Sequence, residues 1–533
     1  MIKGNDYWGK GLTDEMMVRK LNNREYSTFN DMKSNMYQVL KDNAEECPNK
    51  VGIIDIDGKS YSFQELLVLT DRLSAYFAEK YHIRKGSHIG LLLYNSMEFV
   101  ISFLAAQKLG AVIVPFPTKY KESAIDSLIS KSDCDLLIVD EAFQPWMEKF
   151  KNEGKHVFVF AKQSWRDIPY QYTETRDCGL LEDTAIIMFT SGTTSFSKGV
   201  VIRNFNLQHA VIAYRKILNL GESDSTVLSI PIYNITGLAA TLCLFLQCKG
   251  TVYLHKFFDA ARLLTYIEKY SITFYHASPT VFALLLEKKS AFPKLPTLKT
   301  LGCGSGNMPG EMITELKKWL PQMSFRTIYG LSETTSPATI FPEDASESEY
   351  IGSSGIPIPG LCLKIVDETG EEVKDGDIGE IYLKGTNVVE EYYKRETDLI
   401  TADKWLKTGD IGYVNEAGYL YIVDRKKDMI NRGGEKIFSY DIENEIRKID
   451  GIHEVAVVGR KDQKYGEVPV AVVSVKAGYL VEEDYIRSCL KSRLASYEIP
   501  VEFYFVEEVD KTPNGKIDKK GIRECLTRLK GEK

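Results

Sequence analysis

Short apolar runs that alternate with amphipathic segments constrain this chain more than any other feature. Ile89–Tyr94, Ala111–Pro115, Leu136–Val139, Ala185–Met188, Val227–Ile230 and Ile272–Tyr275 are uncharged runs of four to six residues. Runs this short, apolar throughout, read as strands buried on both faces. Helical segments fall between them. Ser62-Phe63-Gln64-Glu65 has the Ser-to-Glu spacing of a capping box, and the helix it starts is expected to bury Phe63, Leu66, Leu73 and Phe77. Met36–Glu46 and Phe205–Leu218 also read as helices, and Val51–Ile56 with Lys59–Tyr61 as a hairpin turning at Asp57-Gly58. The first residues before Met36 read as polar and irregular. This alternation predicts an α/β fold whose large N-terminal domain is built on mostly parallel sheets.

The texture changes twice further on. From Gly352 to about Tyr421, short segments broken by Gly, Asp and Asn predict a small β-rich lobe. Asp424-Arg425-Lys426-Lys427-Asp428 is a compact charged run that reads as a solvated linker. Beyond it, Ser439–Ile449 and Tyr485–Leu494 read as helices, and Val455–Val458 and Val468–Val475 as strands. The expected organisation is an N-terminal domain over residues 1–424, a linker at 425–428 and a small α+β domain at 429–533.

Composition excludes several classes. The chain has 533 residues, 44% hydrophobic and 26% charged, as expected of a soluble globular protein of two or three domains. A formal net charge of −7 argues against a nucleic-acid partner. Nine cysteines lack a Cys-x-x-Cys pair, and the seven histidines lack metal-ligand spacing. A reducing, cytoplasmic setting without structural zinc is expected. Met1–Lys20 mixes charges and has no signal-peptide core. Ser225–Cys248 carries no charge, but Pro231, Asn234 and Gly237 interrupt it. It reads as a strand, a polar loop and a buried helix, not a membrane span.

The chemistry starts at Phe189–Gly199, Phe-Thr-Ser-Gly-Thr-Thr-Ser-Phe-Ser-Lys-Gly, directly after the run Ala185–Met188. A Thr/Ser/Gly loop leaving a buried strand offers backbone N–H groups, hydroxyls and one lysine to a phosphate chain. A solvated turn is the plainer reading of the same composition. It is not a Walker loop: Ser197 stands where the second glycine would be, and Gly199 follows Lys198.

The loop resembles the signature of the adenylate-forming superfamily, which includes acyl-CoA synthetases, luciferases and carrier-protein adenylation domains. Ser195 and Ser197 replace that signature's usual Gly and Pro. Four further segments match the superfamily in its order. They are Gly304-Ser305-Gly306-Asn307, Tyr329-Gly330-Leu331-Ser332-Glu333-Thr334, Thr408-Gly409-Asp410 with Arg425 beyond it, and Thr512-Pro513-Asn514-Gly515-Lys516-Ile517. The resemblance covers nearly the whole chain.

It implies ATP, Mg²⁺ and CoA as co-substrates and cofactor. Thr190, Ser191, Gly192, Thr193, Thr194 and Lys198 would cradle phosphates. Gly304, Ser305, Gly306, Tyr329 and Gly330 would receive adenine, and Ser332 the α-phosphate. Glu333 would hold Mg²⁺, Asp410 and Arg425 the ribose, and Lys516 the carboxylate and α-phosphate. Lys427 would be a hinge about which a mobile C-terminal domain swings, and Gly434 would line the thiol tunnel. Lys516, Lys198 and Glu333 are the catalytic candidates.

The acid and the thiol are less constrained. Pro231-Ile232-Tyr233-Asn234 stands where many relatives have a histidine at the last position, and Asn234 cannot take up a proton near neutrality. No aspartate lies between Asp224 and Asp259 to pair an α-amino group, so an uncharged acyl or aryl acid is expected. Tyr233, Asn234, Gly237, Gly304, Gly330 and Pro337 are candidates for the acyl pocket. A ligase joining a small carboxylic acid to CoA is the leading reading. A stand-alone enzyme loading a carrier protein in trans, luciferase-like oxidation and a silent nucleotide-binding scaffold remain open beside it.

Overall fold

The computed structural model describes residues 1–160, 168, 175–190, 197–306, 308–433, 435–512 and 516–531. It divides into two compact units. The first comprises Met1–Lys364, Tyr382–Lys407 and Ala417–Leu420, and the second Ile365–Ile381, Thr408–Glu416 and Tyr421–Lys533. The chain passes between them inside four strands, Leu361–Val366, Gly379–Gly385, Leu406–Val414 and Leu420–Arg425, which make up much of the expected β-rich stretch.

The first unit holds two large sheets. One has six strands in the order Gly199–Arg203, Thr184–Phe189, Val112–Pro115, His88–Leu92, Leu136–Asp140, His156–Phe160. Its inner strands pair in parallel, and only the edge pair Thr184–Phe189 with Gly199–Arg203 is antiparallel. The other has nine strands. Its parallel core runs Ser324–Tyr329, Thr300–Cys303, Phe274–Ala277, Ser225–Leu228, Thr251–Leu254, Val51–Ile54, with antiparallel strands at both edges. The uncharged runs become buried strands because neither face of these sheets meets water.

Several local expectations hold. Ser62 Oγ accepts from Glu65 N at 3.2 Å while the Glu65 carboxylate accepts from Ser62 N at 2.8 Å, the reciprocal capping box of Phe63–Tyr81. Phe63, Leu66, Leu73 and Phe77 of that helix are fully buried. Ser225–Cys248 is a strand, a loop and short buried helical turns. Among the described residues no helix is long and apolar enough to cross a membrane.

Two expectations need correction. The N-terminal stretch is not irregular: Met16–Leu21 and Arg24–Phe29 form an antiparallel hairpin. Its turn residues Asn22 and Asn23 both have positive φ, 48° and 61°, the conformation that asparagine tolerates in a tight two-residue hairpin turn. The run Asp424–Asp428 is not wholly solvated either. Asp424 and Asp428 are buried, while Arg425, Lys426 and Lys427 between them are exposed.

The second unit carries a sheet ordered Glu435–Ile437, Ile430–Arg432, Gly466–Val475, Ile452–Asp462, with Glu502–Val506 pairing Gly466–Val475 in parallel. Strand alternation divides its core. Val455 and Val457 face one way, into the helices Ser439–Arg447 and Glu483–Lys491 through Ile442, Ile446, Ile486 and Leu490. Ala456 and Val458 face the other way, towards Ile522 and Leu526 of the helix Lys519–Gly531.

Candidate active site

The phosphate-loop segment joins two antiparallel strands. Phe189 pairs with Gly199, and Thr190 N donates to Lys198 O at 3.0 Å, closing the neck of the hairpin. Ser191, Gly192, Thr193 and Thr194 lie outside the described residues, as does Gly434. Lys198 is described: its ammonium lies 5.3 Å from the centre of the Tyr392 ring. Burial and the Arg395 guanidinium pull its pKa down, while Glu333 and Asp398 oppose the shift.

Glu333 stands beside it. Tyr392 Oη donates to Glu333 Oε1 at 2.8 Å, and burial together with that carboxylate pushes the phenol upward. Tyr393 N donates to Gly199 O at 2.7 Å, and Val389 N to Glu333 O at 2.9 Å. The segment 389–393 therefore ties the loop neck to the glutamate. The structure brings Lys198 and Glu333 together, with Tyr392 and Arg395 as members that sequence reasoning missed. Nothing local marks those two residues, because their role is set by contacts nearly two hundred positions away.

Glu333 sits in a turn that the sequence can form only under constraint. It belongs to the single turn Ser332–Thr334, which follows the strand ending at Tyr329. A β-carbon on Gly330 would lie 1.3 Å from Ser336 O, so no larger residue fits. Thr335 and Ser336 hold positive φ of 55° and 92°, a costly conformation for residues with a β-carbon. Buried partners hold it in place. Tyr214 Oη and Ser336 Oγ are 2.9 Å apart, and Asn387 Nδ2 donates to Thr334 O at 3.0 Å and Pro337 O at 2.6 Å.

The remaining candidates of this unit cluster at the carboxyl ends of parallel strands, the edge where open α/β sheets bind ligands. Gly304 follows Thr300–Cys303 and is buried, with exposed Ser305 (φ 66°) and Gly306 beyond it. Tyr329 and Gly330 end Ser324–Tyr329. Tyr233 and Asn234 lie beyond Ser225–Leu228. Tyr233 is buried, which raises its phenol to about 12 although Thr118 pulls the other way. Asn234 is half-buried. A β-carbon on Gly237 would lie 2.5 Å from Pro231 O, and Pro337 is buried.

In the second unit, Asp410 is buried within the strand Leu406–Val414, where Gly409 has a φ of 71° and Thr408 Oγ1 accepts from Asp410 N at 3.0 Å. Arg425 Nε reaches Asp410 Oδ1 at 2.6 Å. Lys427 is exposed, between two anchored neighbours. Asp424 Oδ2 accepts from Ser439 N at 2.6 Å and Ser439 Oγ at 2.8 Å, and Asp428 is paired with Arg523. Lys519 extends the first anchor, donating to Ser439 Oγ at 2.7 Å and meeting Glu443 Oε1 at 2.7 Å. Lys516 is exposed, and its carbonyl oxygen accepts from Thr512 N at 2.7 Å.

No group of three or more His, Cys, Asp or Glu side chains able to hold a metal stands among the described residues. Glu333 fits Mg²⁺ in another way. It offers one hard carboxylate, and this ion commonly completes its shell with water and phosphate oxygens of a nucleotide.

The profile of the AMP-binding enzyme family matches residues 40–393, and that of the AMP-binding enzyme C-terminal domain matches residues 441–516. The chain belongs to the AMP-binding enzyme family. It is 32% identical to 2-succinylbenzoate–CoA ligase of Bacillus licheniformis, over 90% of this chain and 97% of that protein. It is 29% identical to indoleacetate–CoA ligase of Aromatoleum aromaticum, over 88% and 94%. Among solved structures, o-succinylbenzoate CoA synthetase of Bacillus subtilis with its acyl-adenylate superposes with a TM-score of 0.83 at 26% identity, covering 92% of this chain and 98% of that one.

Proposed function

We infer that the chain is an ATP-dependent carboxylate–CoA ligase of the AMP-forming type, and that its acid is aromatic. The observation that carries the reaction class is similarity to acid–CoA ligases along almost their full length, 97% of the Bacillus licheniformis enzyme. The aromatic preference rests on the relatives named for indoleacetate and 2-succinylbenzoate.

The reaction has two parts. A carboxylate oxygen attacks the α-phosphorus of ATP and pyrophosphate leaves; a thiol sulfur then attacks the carbonyl carbon and AMP leaves. Both first reactants are anions, so the chain must supply positive charge where they meet. Lys198 does so from the loop neck, and its partial burial strengthens that field. Mg²⁺, when bound, supplies further positive charge to the phosphates, and Glu333 would hold it. Tyr392, by donating to Glu333, fixes the carboxylate's direction. Asp410 and Arg425 would orient the ribose, Tyr329 would stack on adenine, and Ser332 would donate to the α-phosphate.

Lys516 would approach the carboxylate during the first step and withdraw before the second. Lys427 would be the pivot by its match to the family's hinge position; Asp424 and Asp428 on either side of it are both fastened within the same unit. A cytoplasmic setting is supported by nine cysteines without a Cys-x-x-Cys pair.

The test is pyrophosphate release with Mg-ATP and a panel of aromatic and aliphatic acids, with and without CoA. Turnover with an aromatic acid that requires CoA is the expected result. Acid-dependent ATP–pyrophosphate exchange without CoA-driven turnover would move the acceptor to a carrier protein. Preference for aliphatic acids would overturn the aromatic assignment.

A further inference from the structure

The hairpin that carries Lys198 in its neck lies at the edge of the six-stranded sheet, and one short segment covers that edge where the loop leaves it. Tyr392 bridges to Val200, and Tyr393 N donates to Gly199 O at 2.7 Å. A β-carbon on Gly199 would lie 3.0 Å from Tyr393 Cβ, so the bare backbone there is what admits the segment. The segment then turns sharply: Arg395 bridges back to Tyr392, and Lys394 at the tip has a φ of 49°. A left-handed conformation is costly for a residue with a β-carbon and persists only where the surroundings fix it.

Asp133 does the fixing. Its Oδ2 accepts from both Tyr393 Oη and Lys394 Nζ. Asp133 is the C-cap of the helix Glu122–Ser132 and is itself left-handed, at a φ of 49°. The bonds from Lys394 and Tyr393 hold its carboxyl below the usual carboxylate range, so it is ionised near neutrality. Burial and that same carboxylate push the Tyr393 phenol upward, so its hydroxyl stays protonated and donates. The two bonds differ in setting. Lys394 is 65% exposed and Asp133 49%, so water and salt screen their ion pair. The Tyr393 ring is half-buried, packed against the core that includes Ile187 and Val201, and edge-on to His88 with ring centres 5.3 Å apart.

We propose that Asp133 is a positioning residue for the phosphate chain of ATP, acting through Tyr393 on the neck of the hairpin that carries Lys198. This rests on the nucleotide-binding part of the ligase reading above. Asp133 touches no reacting atom. It fixes the Tyr393 side chain, the Tyr393 N–H holds Gly199 O, and Gly199 directly follows Lys198. Attraction between an ammonium and a phosphate weakens as the two separate, so the tether sets how well Lys198 meets its anion. Because the tether is partly exposed, its loss costs little stability and shows instead in nucleotide binding.

The experiment measures Mg-ATP and AMP binding by calorimetry without acid, and pyrophosphate release with acids, in wild type, Asp133→Gly, Tyr393→Phe and the double variant. Glycine removes the carboxylate without straining a backbone already at positive φ. Each single variant should weaken Mg-ATP about fivefold and raise KM for ATP by the same margin, with kcat within about twofold. AMP, which lacks the β- and γ-phosphates, should change by less than about twofold. The double variant should bind no more weakly than the weaker single one, since both changes remove one bond. Asp133→Asn, which keeps an acceptor, should retain most of the affinity, and Lys394→Ala should stay within about twofold of wild type. If Asp133→Gly does not fold, Tyr393→Phe against Asp133→Asn gives the same comparison. Unchanged Mg-ATP affinity in Tyr393→Phe, equal weakening of ATP and AMP, or additive effects in the double variant would overturn the proposal. Weakened Mg-ATP binding in these variants, with no pyrophosphate release from wild type on any acid, would support it and overturn the ligase reading alone.

Discussion

Arg425 Nε and Asp410 Oδ1 stand 2.6 Å apart, joining a side chain 44% exposed to one 3% exposed. The pair presents a guanidinium at the surface and keeps a carboxylate fixed beneath it. Because one partner is nearly half exposed, its contribution to stability is about 1 kcal/mol or less. Its value lies in orientation. Arg425→Ala is expected to raise KM for ATP about tenfold with only a small fall in melting temperature. Kinetics and a thermal melt on the same preparation check this, and a large fall in melting temperature with unchanged KM would contradict it.

Gly330 admits no side chain. Gly330→Ala would drive a β-carbon into Ser336 O, a backbone atom that Tyr214 and Asn387 help to hold. The expected result is a loss of several kcal/mol, read as a melting temperature lower by about 5 °C or more or as insoluble protein. Circular dichroism melts of the variant measure it.

Tyr392 acts through Glu333. Tyr392→Phe keeps the ring beneath Lys198 but removes the hydrogen bond to the carboxylate. The magnesium concentration for half-maximal pyrophosphate release should rise about three- to tenfold, with a smaller effect at saturating magnesium. An unchanged magnesium dependence would deny Tyr392 that positioning role.

Three buried histidines make stability pH-dependent. Burial holds His209, His255 and His276 at about 4, below the ordinary histidine value near 6.5. Their stabilising contribution is full above about pH 6.5 and is lost as pH falls towards 4, because the unfolded chain takes up protons that the folded chain refuses. Each should cost about 2 kcal/mol between pH 7 and pH 5. Denaturant unfolding at the two pH values measures this. Removing one histidine, by His209→Gln, should reduce the difference by about a third.

The sequence carried most of the frame and only part of the site. Strands such as Ile89–Tyr94 were legible because a fully buried strand has one signature, an uncharged apolar run. The hairpin at Asn22-Asn23 also left a signal, two asparagines suited to positive φ, but its strands are too polar to stand out. The buried ends of Asp424–Asp428 were not legible, since burial there depends on Ser439, Lys519 and Arg523. The same holds in the site. Lys198 and Glu333 lie in motifs, whereas Tyr392, Arg395 and Asp133 acquire meaning only when distant segments meet.

In this reaction a carboxylate oxygen attacks the α-phosphorus and a thiol then displaces AMP. The most direct measurement uses an acid labelled with ¹⁸O in its carboxylate, Mg-ATP and CoA, with mass analysis of the products. The expected products are an acyl-CoA thioester and AMP carrying one labelled oxygen, with unlabelled pyrophosphate. Label in inorganic phosphate with ADP as the nucleotide product, or thioester formation without label in AMP, would contradict it.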